Sequence, residues 1–498
     1  MSEKKAYGAL VARFNRMSAL GGAGAMLGWD NAVMMPDGGA DARAETMATL
    51  GVISHEMMTD PEIKDLFEEA EVEALSQHEA ANLREMKRSY THANALPADL
   101  VEAFSRATSE CEMTWRGARE QDDFKVLLPS LSKVFDLVRE IASVKSEVLQ
   151  LPIYDALLDE YEPDCRQSII DPLFAELEDF LPNFLEEVLE RQAAKGAYEK
   201  PEGPFDLEKQ KTLGLELMTD LGFDFNRGRL DTSHHPFTGG IPDDVRLTTR
   251  YEEDDFTQSL MGTLHETGHA LYEQNLPKEW RGQPAGEARG MALHESQSLL
   301  VEMQLSRSEP FLEYLQPKLI KAFKRDGAAW EFDNLQKLYH HVERGLIRVD
   351  ADEVTYPLHV ILRYRLEAAL LSGDLQVADL PGAWNDGMQQ LLGVTPPSDR
   401  LGCLQDIHWP GGAVGYFPTY TLGAMAAAQI YKAAGGAIPE RDEQVAAGEF
   451  APLITWLKQN IHEKGSLYSA EEILTQATGS GLGTASFIEH LKSRYLPE

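Results

Sequence analysis

Cysteine is scarce in this chain. Cys111, Cys165 and Cys403 are the only three in 498 residues, and they are scattered and odd in number. Neither a disulfide framework nor a Cys-x-x-Cys metal site follows, and a reducing cytoplasm is the simpler home. The opening residues, Met1-Ser2-Glu3-Lys4-Lys5, lack the apolar region and cleavage site of a signal peptide. Long apolar runs are missing as well. The nearest, residues 422–438, is mostly Ala and Gly and is broken by Lys432, so the expectation is a soluble protein. Basic charge is in deficit: 46 Lys and Arg against 81 Asp and Glu leave a formal net charge of −35 and a pI near 4.8. That balance argues against nucleic-acid and anionic-membrane partners, both of which need basic patches. There is no repeat of fixed period and no low-complexity tract.

What is present is helical periodicity. With 43% hydrophobic and 8% aromatic residues the chain has ample material for a large core and more than one lobe. Amphipathic runs predict helices over 7–26, 43–58, 62–74, 79–91, 98–121, 124–151, 167–195 and 206–221. The clearest break in this half is 198–204, with Pro201 and Gly203 inside it. Residues 1–200 carry almost no candidate chemistry and read as a helical lobe walling a cleft. Further helices are expected over 310–322, 356–371, 422–434, 441–464, 470–478 and 485–495. One stretch differs. Val245-Arg246-Leu247-Thr248-Thr249-Arg250-Tyr251 alternates with β-branched residues, as a short strand does, and its edge could pair with an extended peptide or simply cap the core.

The strongest chemical signal follows that strand. In Thr263-Leu264-His265-Glu266-Thr267-Gly268-His269-Ala270, two imidazoles stand four residues apart with a carboxylate after the first. On a helix, positions i and i+4 share a face, so His265 and His269 can grip one ion from the same side. Asp254-Asp255 open the segment, and Phe256, Leu260, Leu264 and Leu271 give it an apolar stripe, so the helix is expected to be largely buried. Two neutral imidazoles plus a carboxylate suit Zn²⁺ with one position left for water, and Glu266 is placed to take a proton from that water. The third ligand should come from 291–300, which also reads as a helix. Glu295 would complete a two-His, one-Glu set and His294 a three-His set, and spacing alone leaves both open.

Two later stretches add candidates. Arg348 sits among acidic residues in Gly345-Leu346-Ile347-Arg348-Val349-Asp350-Ala351-Asp352. Usually such a residue is a surface ion pair; the other reading is a substrate contact. His408 precedes a Gly-rich loop, expected to be mobile, that carries Tyr416 and Tyr420, and a phenol or imidazole can stabilise an oxyanion. His340, His341 and His359 read as structural.

Taken together these segments resemble the carboxypeptidase Taq family of zinc metallocarboxypeptidases. The matching pieces are His235-Pro236-Phe237, Asp244-x-Arg246-x-Thr248, His265-Glu266-Thr267-Gly268-His269 and His294-Glu295-Ser296-Gln297. They continue with Ile347-Arg348 and Ala351-Asp352, then Gly402-x-x-Gln405-Asp406-x-His408-Trp409, while Trp29-Asp30 extends the likeness to the N-terminal region. The resemblance implies a mainly α, two-lobed fold around a deep catalytic groove, similar to neurolysin and angiotensin-converting enzyme, with a small β element near the zinc helix. It implies one catalytic domain over 1–498, with a helical N-terminal lobe over 1–200, the zinc site in 230–300 and substrate and oxyanion segments in 340–425. It implies Glu295 as third ligand, one Zn²⁺ per chain (Co²⁺ able to substitute), and release of C-terminal residues from peptides with a free C-terminus, usually by a homodimer. Arg348 then holds the terminal carboxylate, which a guanidinium matches bidentately. His408 and Tyr420 become oxyanion donors, Tyr416 a possible substitute, and His235 a substrate contact. Two rival readings are a zinc endo- or oligopeptidase on the same scaffold and a non-enzymatic helical scaffold with an incidental pentad.

Overall fold

In the computed structural model, which describes residues 4–497, the chain is mainly α-helical with one small three-stranded sheet. Helix starts follow ordinary capping chemistry. Ser76 and Ser469 open the helices Gln77–Asn94 and Ala470–Thr478 with capping boxes: each hydroxyl accepts the N–H three residues on, and Glu79 or Glu472 accepts the serine N–H in return. Asp123 and Asp206 cap the helices Phe124–Leu149 and Leu207–Asp220 in the same sense. No helix among the described residues is long and apolar enough to cross a membrane.

The apolar faces merge into one main core that begins at Leu100 and runs to Tyr495. A smaller core joins the helices Lys5–Val33, Glu62–Glu71 and Gln77–Asn94 through Tyr7, Leu10, Phe14, Ile63, Phe67 and Met86. The linker at 198–204 does not divide the main core, which holds residues on both sides of it, Val188 before and Phe205 after. Phe205, directly after it, packs edge-on against Phe256, Phe323 and Trp330 of the main core. Polar groups fasten the small core to the large one. The Asn82 amide donates to Gln283 and to the Tyr7 hydroxyl, and its oxygen accepts the Ala285 N–H. Arg289, fully buried, pairs with Glu85 and Asp164. The segment gripped in this way joins the two helices that carry the candidate chemistry, Thr257–Asn275 and Met291–Leu299.

Several expectations need correcting. The strand before the pentad helix is β3 (Asp244–Thr249), and it is central: β1 (Gly228–Thr232) pairs with it in parallel and β2 (Thr238–Ile241) antiparallel. Both its edges are occupied, so it cannot take up a peptide by strand addition. The single helix expected over 441–464 is broken into Arg441–Ala446, Ala451–Asn460 and a 3₁₀ turn, His462–Lys464. The first break contains Gly448, whose φ of +78° no helix accommodates and whose Cα faces the Tyr314 ring. The segment 411–420 is less of a mobile loop than expected. Tyr420 already lies in the helix Pro418–Ala437, and Val414, Gly415 and Phe417 are buried. The first helix runs on to Val33 through Gly28-Trp29-Asp30, and the helices Ile153–Tyr161, Phe332–Tyr339 and Leu380–Leu392 had no counterpart in the sequence reading.

Candidate metal centre

The helix Thr257–Asn275 starts where the Asp255 carboxylate accepts the Thr257 N–H and hydroxyl, at 2.8 and 2.6 Å. It buries Leu260, Leu264, Ala270 and Leu271, which turns the opposite face, with His265 and His269, towards the helix Met291–Leu299. The two helices come unusually close at Gly268. A Cβ there would lie 2.3 Å from the Gln297 carbonyl oxygen and 2.6 Å from the Ser298 Cα. Gly423, on the helix Pro418–Ala437, does the same on the other flank, where a Cβ would meet the Glu295 Cβ and Cγ at 2.9 Å. Two glycines thus let the glutamate-bearing helix lie pressed between its neighbours.

The consequence is a three-residue group. His265, His269 and Glu295 each offer one ligand atom, and these atoms all lie within 4.8 Å of one another. The His269 Nε2 and a Glu295 carboxylate oxygen are 3.5 Å apart. Ligand atoms held at about 2.1 Å around a tetrahedral ion stand about 3.4 Å from each other, so this pair fits one. Both rings are fixed from behind. His265 Nδ1 meets Glu302 at 3.0 Å, and Glu302 in turn accepts from Arg307 at 2.6 Å. His269 Nδ1 meets His294 Nδ1 at 2.7 Å, whose Nε2 contacts Glu273 at 2.8 Å. Partners of this kind leave Nε2 for the ion and set the ring's orientation. Of the two candidates on the second helix, Glu295 joins the group and His294 stands behind it.

Electrostatics also calls for a cation. Of the three inner carboxylates only Glu302 is paired with a guanidinium, Arg307, while Glu295 meets the His269 imidazole and Glu266 the Thr238 hydroxyl, an arrangement that leaves negative charge for a cation to offset. Burial would raise the Glu295 carboxyl, but its contact with His269 and the nearby imidazoles hold it down at about 2. Burial would likewise lower His265, but Glu302 and Glu295 push it up to about 10. The pocket draws positive charge from whatever is at hand. Glu266 is buried beside the group, and its carboxylate accepts the Thr238 hydroxyl at 2.6 Å.

A second cluster lies against the same centre. Arg348 is buried, and the Asp406 carboxylate binds its Nη2 at 2.9 Å and the Nε of Arg363 at 2.7 Å. Two guanidiniums share one carboxylate, which leaves one positive charge in excess. The Arg348 guanidinium lies 4.8 Å from the Tyr420 ring centre, and the Tyr420 hydroxyl is 3.2 Å from His408 Nε2. Burial, with Arg348 and Arg363 near, pulls His408 down to about 4, so the ring is neutral near pH 7. Burial pushes Tyr420 up to about 12 and Tyr416 higher still, so both phenols keep their protons. The Tyr416 ring packs on Tyr161 and Tyr420, and the charge on Glu295 reaches it. His235 is not drawn in. It is exposed on the loop between β1 and β2, and Thr238 is the residue of that region that reaches the centre.

Sequence reasoning missed Thr238, Glu302, Arg307, Arg363 and Glu367. Glu302 had a signal, since it stands seven residues after Glu295, two turns along a helix. Glu367, fully buried, accepts from Tyr154, from Trp409 beside His408 and from the Gly415 N–H beside Tyr416.

Comparison with known proteins points the same way. The family model described as carboxypeptidase Taq (M32) metallopeptidase matches residues 9–495. Thermostable carboxypeptidase 1 of Thermus thermophilus is 40% identical over 513 aligned residues, covering 99% of both chains. Thermostable carboxypeptidase 1 of Pyrococcus furiosus is 36% identical, covering 98% of each. Among solved structures, Trypanosoma cruzi metallocarboxypeptidase 1 superposes with a TM-score of 0.97 at 40% identity, covering 99% of this chain and all of the other.

Proposed function

Because the chain belongs to the carboxypeptidase Taq (M32) metallopeptidases, we propose that it releases C-terminal residues from peptides with Zn²⁺ held by His265, His269 and Glu295. It is a metal-dependent peptide hydrolase acting at the C-terminus, and the family sets aside the endopeptidase and non-enzymatic readings. The observation that carries the residue assignment is the convergence of those three side chains, with Glu266 held beside them by Thr238. Two imidazoles and a carboxylate favour zinc, and Co²⁺ suits the same donors. When bound, the ion supplies Lewis acidity, which brings the pKa of water towards about 7 and polarises a peptide carbonyl.

The remaining work falls to the chain's own groups. Glu266 takes the proton of the attacking water and returns it to the leaving amine. The Thr238 hydroxyl fixes the Glu266 carboxylate for both transfers. His408 and Tyr420, with Tyr416 as substitute, donate to the oxyanion as it forms, and burial has kept all three in their neutral forms. Arg348 takes the substrate's terminal carboxylate, supported by the uncompensated charge of the Arg348–Asp406–Arg363 cluster. His235, on the outer loop, is assigned to longer substrates approaching the centre. We take the whole chain as one catalytic unit of two lobes around a groove, acting as a homodimer in the cytoplasm on peptides rather than nucleic acid.

The test is Glu266→Gln in the zinc-loaded enzyme, assayed by identifying the residues freed from a short peptide. Zinc should stay stoichiometric while turnover falls by about 10²–10⁴-fold, the usual worth of a positioned acid–base group. Turnover near wild type with full metal would remove Glu266 from the mechanism.

A further inference from the structure

The helix that carries Glu295 does not end as an α-helix. From Leu300 to Leu305 it widens into a π turn, and the Ser306 N–H reaches back five residues to the Val301 carbonyl at 2.9 Å. Turns of this kind leave main-chain carbonyls without helical partners and often mark functional positions. Glu302, the partner of His265, sits inside this turn. Its direction towards His265 therefore depends on a local geometry that the backbone alone does not hold firmly.

What holds it comes from the other end of the chain. Arg494, on the helix Ala485–Tyr495, donates through Nη1 to the Met303 carbonyl at 2.5 Å and through Nη2 to the Gln304 carbonyl at 3.1 Å. Both oxygens belong to the π turn and come from the two residues directly after Glu302. A cation on the orphan carbonyls of a helix C-terminus is favourable electrostatically as well. Arg494 is itself locked. Its Nη1 lies 2.8 Å from Glu353, a buried carboxylate that also contacts His490 at 3.0 Å and the Tyr495 hydroxyl at 2.9 Å. Arg307, the second partner of Glu302, lies within the field of Glu353 and Tyr495. The C-terminal helix thus reaches Glu302 through the main chain, from the Met303 carbonyl that Arg494 holds to the residue before it, and the Glu302 side chain contacts the back of His265.

We propose that Arg494 is a positioning residue for metal binding: by capping the carbonyls of Met303 and Gln304 it holds the turn in which Glu302 faces His265. The inference rests on His265 being a metal ligand. The C-terminal helix then forms part of the frame of the metal centre, although none of its side chains touches a ligand.

The experiment measures the zinc dissociation constant by chelator competition on the full-length protein, with the melting temperature of the metal-stripped form recorded alongside. The variants are Arg494→Met, Arg494→Lys, Glu302→Gln and the Arg494→Met/Glu302→Gln double. Arg494→Met should weaken zinc about tenfold, the lower end of what loss of an orienting partner costs. Arg494→Lys should recover part of that loss. The double variant should bind zinc no more weakly, within about twofold, than Glu302→Gln alone, because both act through one contact. A wild-type zinc constant in Arg494→Met, with only the melting temperature lowered, would overturn the proposal, as would losses that multiply in the double. If Arg494→Met does not fold, Arg494→Lys decides, and an unchanged zinc constant there overturns it equally. Wild-type protein that takes up no stoichiometric zinc would instead overturn the ligand assignment itself.

Discussion

Replacing Gly268 by alanine should cost the protein its metal before it costs the fold. The added Cβ would stand 2.3 Å from the Gln297 carbonyl oxygen, with the Ser298 Cα at 2.6 Å, and both are main-chain atoms that cannot rotate away. Carbon–oxygen contacts settle at about 3.3 Å, so the two ligand-bearing helices must part by about 1 Å. The 3.5 Å between His269 Nε2 and Glu295 would then widen to about 4.5 Å, whereas metal sites tolerate departures of only about 0.2 Å in each bond. Overpacking of this kind costs about 1–3 kcal/mol, less than the stability of most domains. The variant should therefore fold, with its zinc affinity reduced beyond the roughly tenfold to hundredfold loss typical of an outer partner. Gly262→Ala is the control on the same helix. The nearest atom to its added Cβ is the Pro236 Cγ at 3.9 Å, so affinity should hold and stability should rise by about 0.5–1 kcal/mol. Chelator competition and thermal melting of both metal-stripped variants decide the matter. Wild-type zinc affinity in Gly268→Ala would mean that the closeness of the helices is not what brings Glu295 to the imidazoles.

That closeness also separates what the sequence could say about this site from what it could not. His265, Glu266 and His269 were legible because their relation is local, set by the pitch of one helix. The choice between Glu295 and His294 was not, since neighbouring positions on the second helix face different ways and only the docking angle decides which looks inward. Gly268 and Gly423 fix that angle, and nothing in the spacing of either glycine announces it. Thr238 was invisible for a related reason: it lies 28 residues from Glu266 and reaches it only because β2 folds back beside β3. The strand was recognised by its alternation, but edge or centre is a property of partners and not of the strand. Within the helices, boundaries failed where a single φ angle governs, as at Gly448, and where a helix widens after Leu299. Buried charge was the least legible of all. Arg348 and Arg363 are indistinguishable from surface arginines until Asp406 is seen between them.

Three further outcomes follow from the buried carboxylates. Glu367 accepts three donors on two oxygens, and a glutamine would turn an NH₂ towards at least one of them. Glu367→Gln should lose about 1–3 kcal/mol in thermal melts, with kcat falling because Trp409 and Gly415 flank His408 and Tyr416; an unchanged melting temperature would refute this. Burial opposes ionisation of Glu353, yet Arg494 and His490 hold its carboxyl far below the usual range. A depressed carboxyl stabilises the fold above its unfolded pKa of about 4.3 and loses that contribution as pH falls, so the hydrogen-exchange protection factors of Ala485–Tyr495, taken against the intrinsic rate at each pH, should fall in acid, and less so in Glu353→Gln. The third outcome turns on charge counting at Asp406. Arg348→Ala takes the cluster from one excess positive charge to none, because Arg363 remains paired with Asp406 at 2.7 Å. Asp406→Asn instead leaves two buried guanidiniums unopposed, and breaking a buried pair in that way costs about 3–5 kcal/mol. The two substitutions remove opposite charges from one cluster, so their effects on folding and on substrate should run in opposite order. Arg348→Ala should melt lower than wild type by about 1–3 kcal/mol, because Asp406 Oδ1 loses its partner, while losing about 10²–10³-fold in kcat/KM on free-acid peptides, the worth of a charge-assisted pair with the terminal carboxylate, and should change far less on amidated ones. Asp406→Asn should melt far lower. If Arg348→Ala proves as unstable as Asp406→Asn, or if free and amidated peptides suffer alike, the excess charge belongs to the fold and not to the substrate.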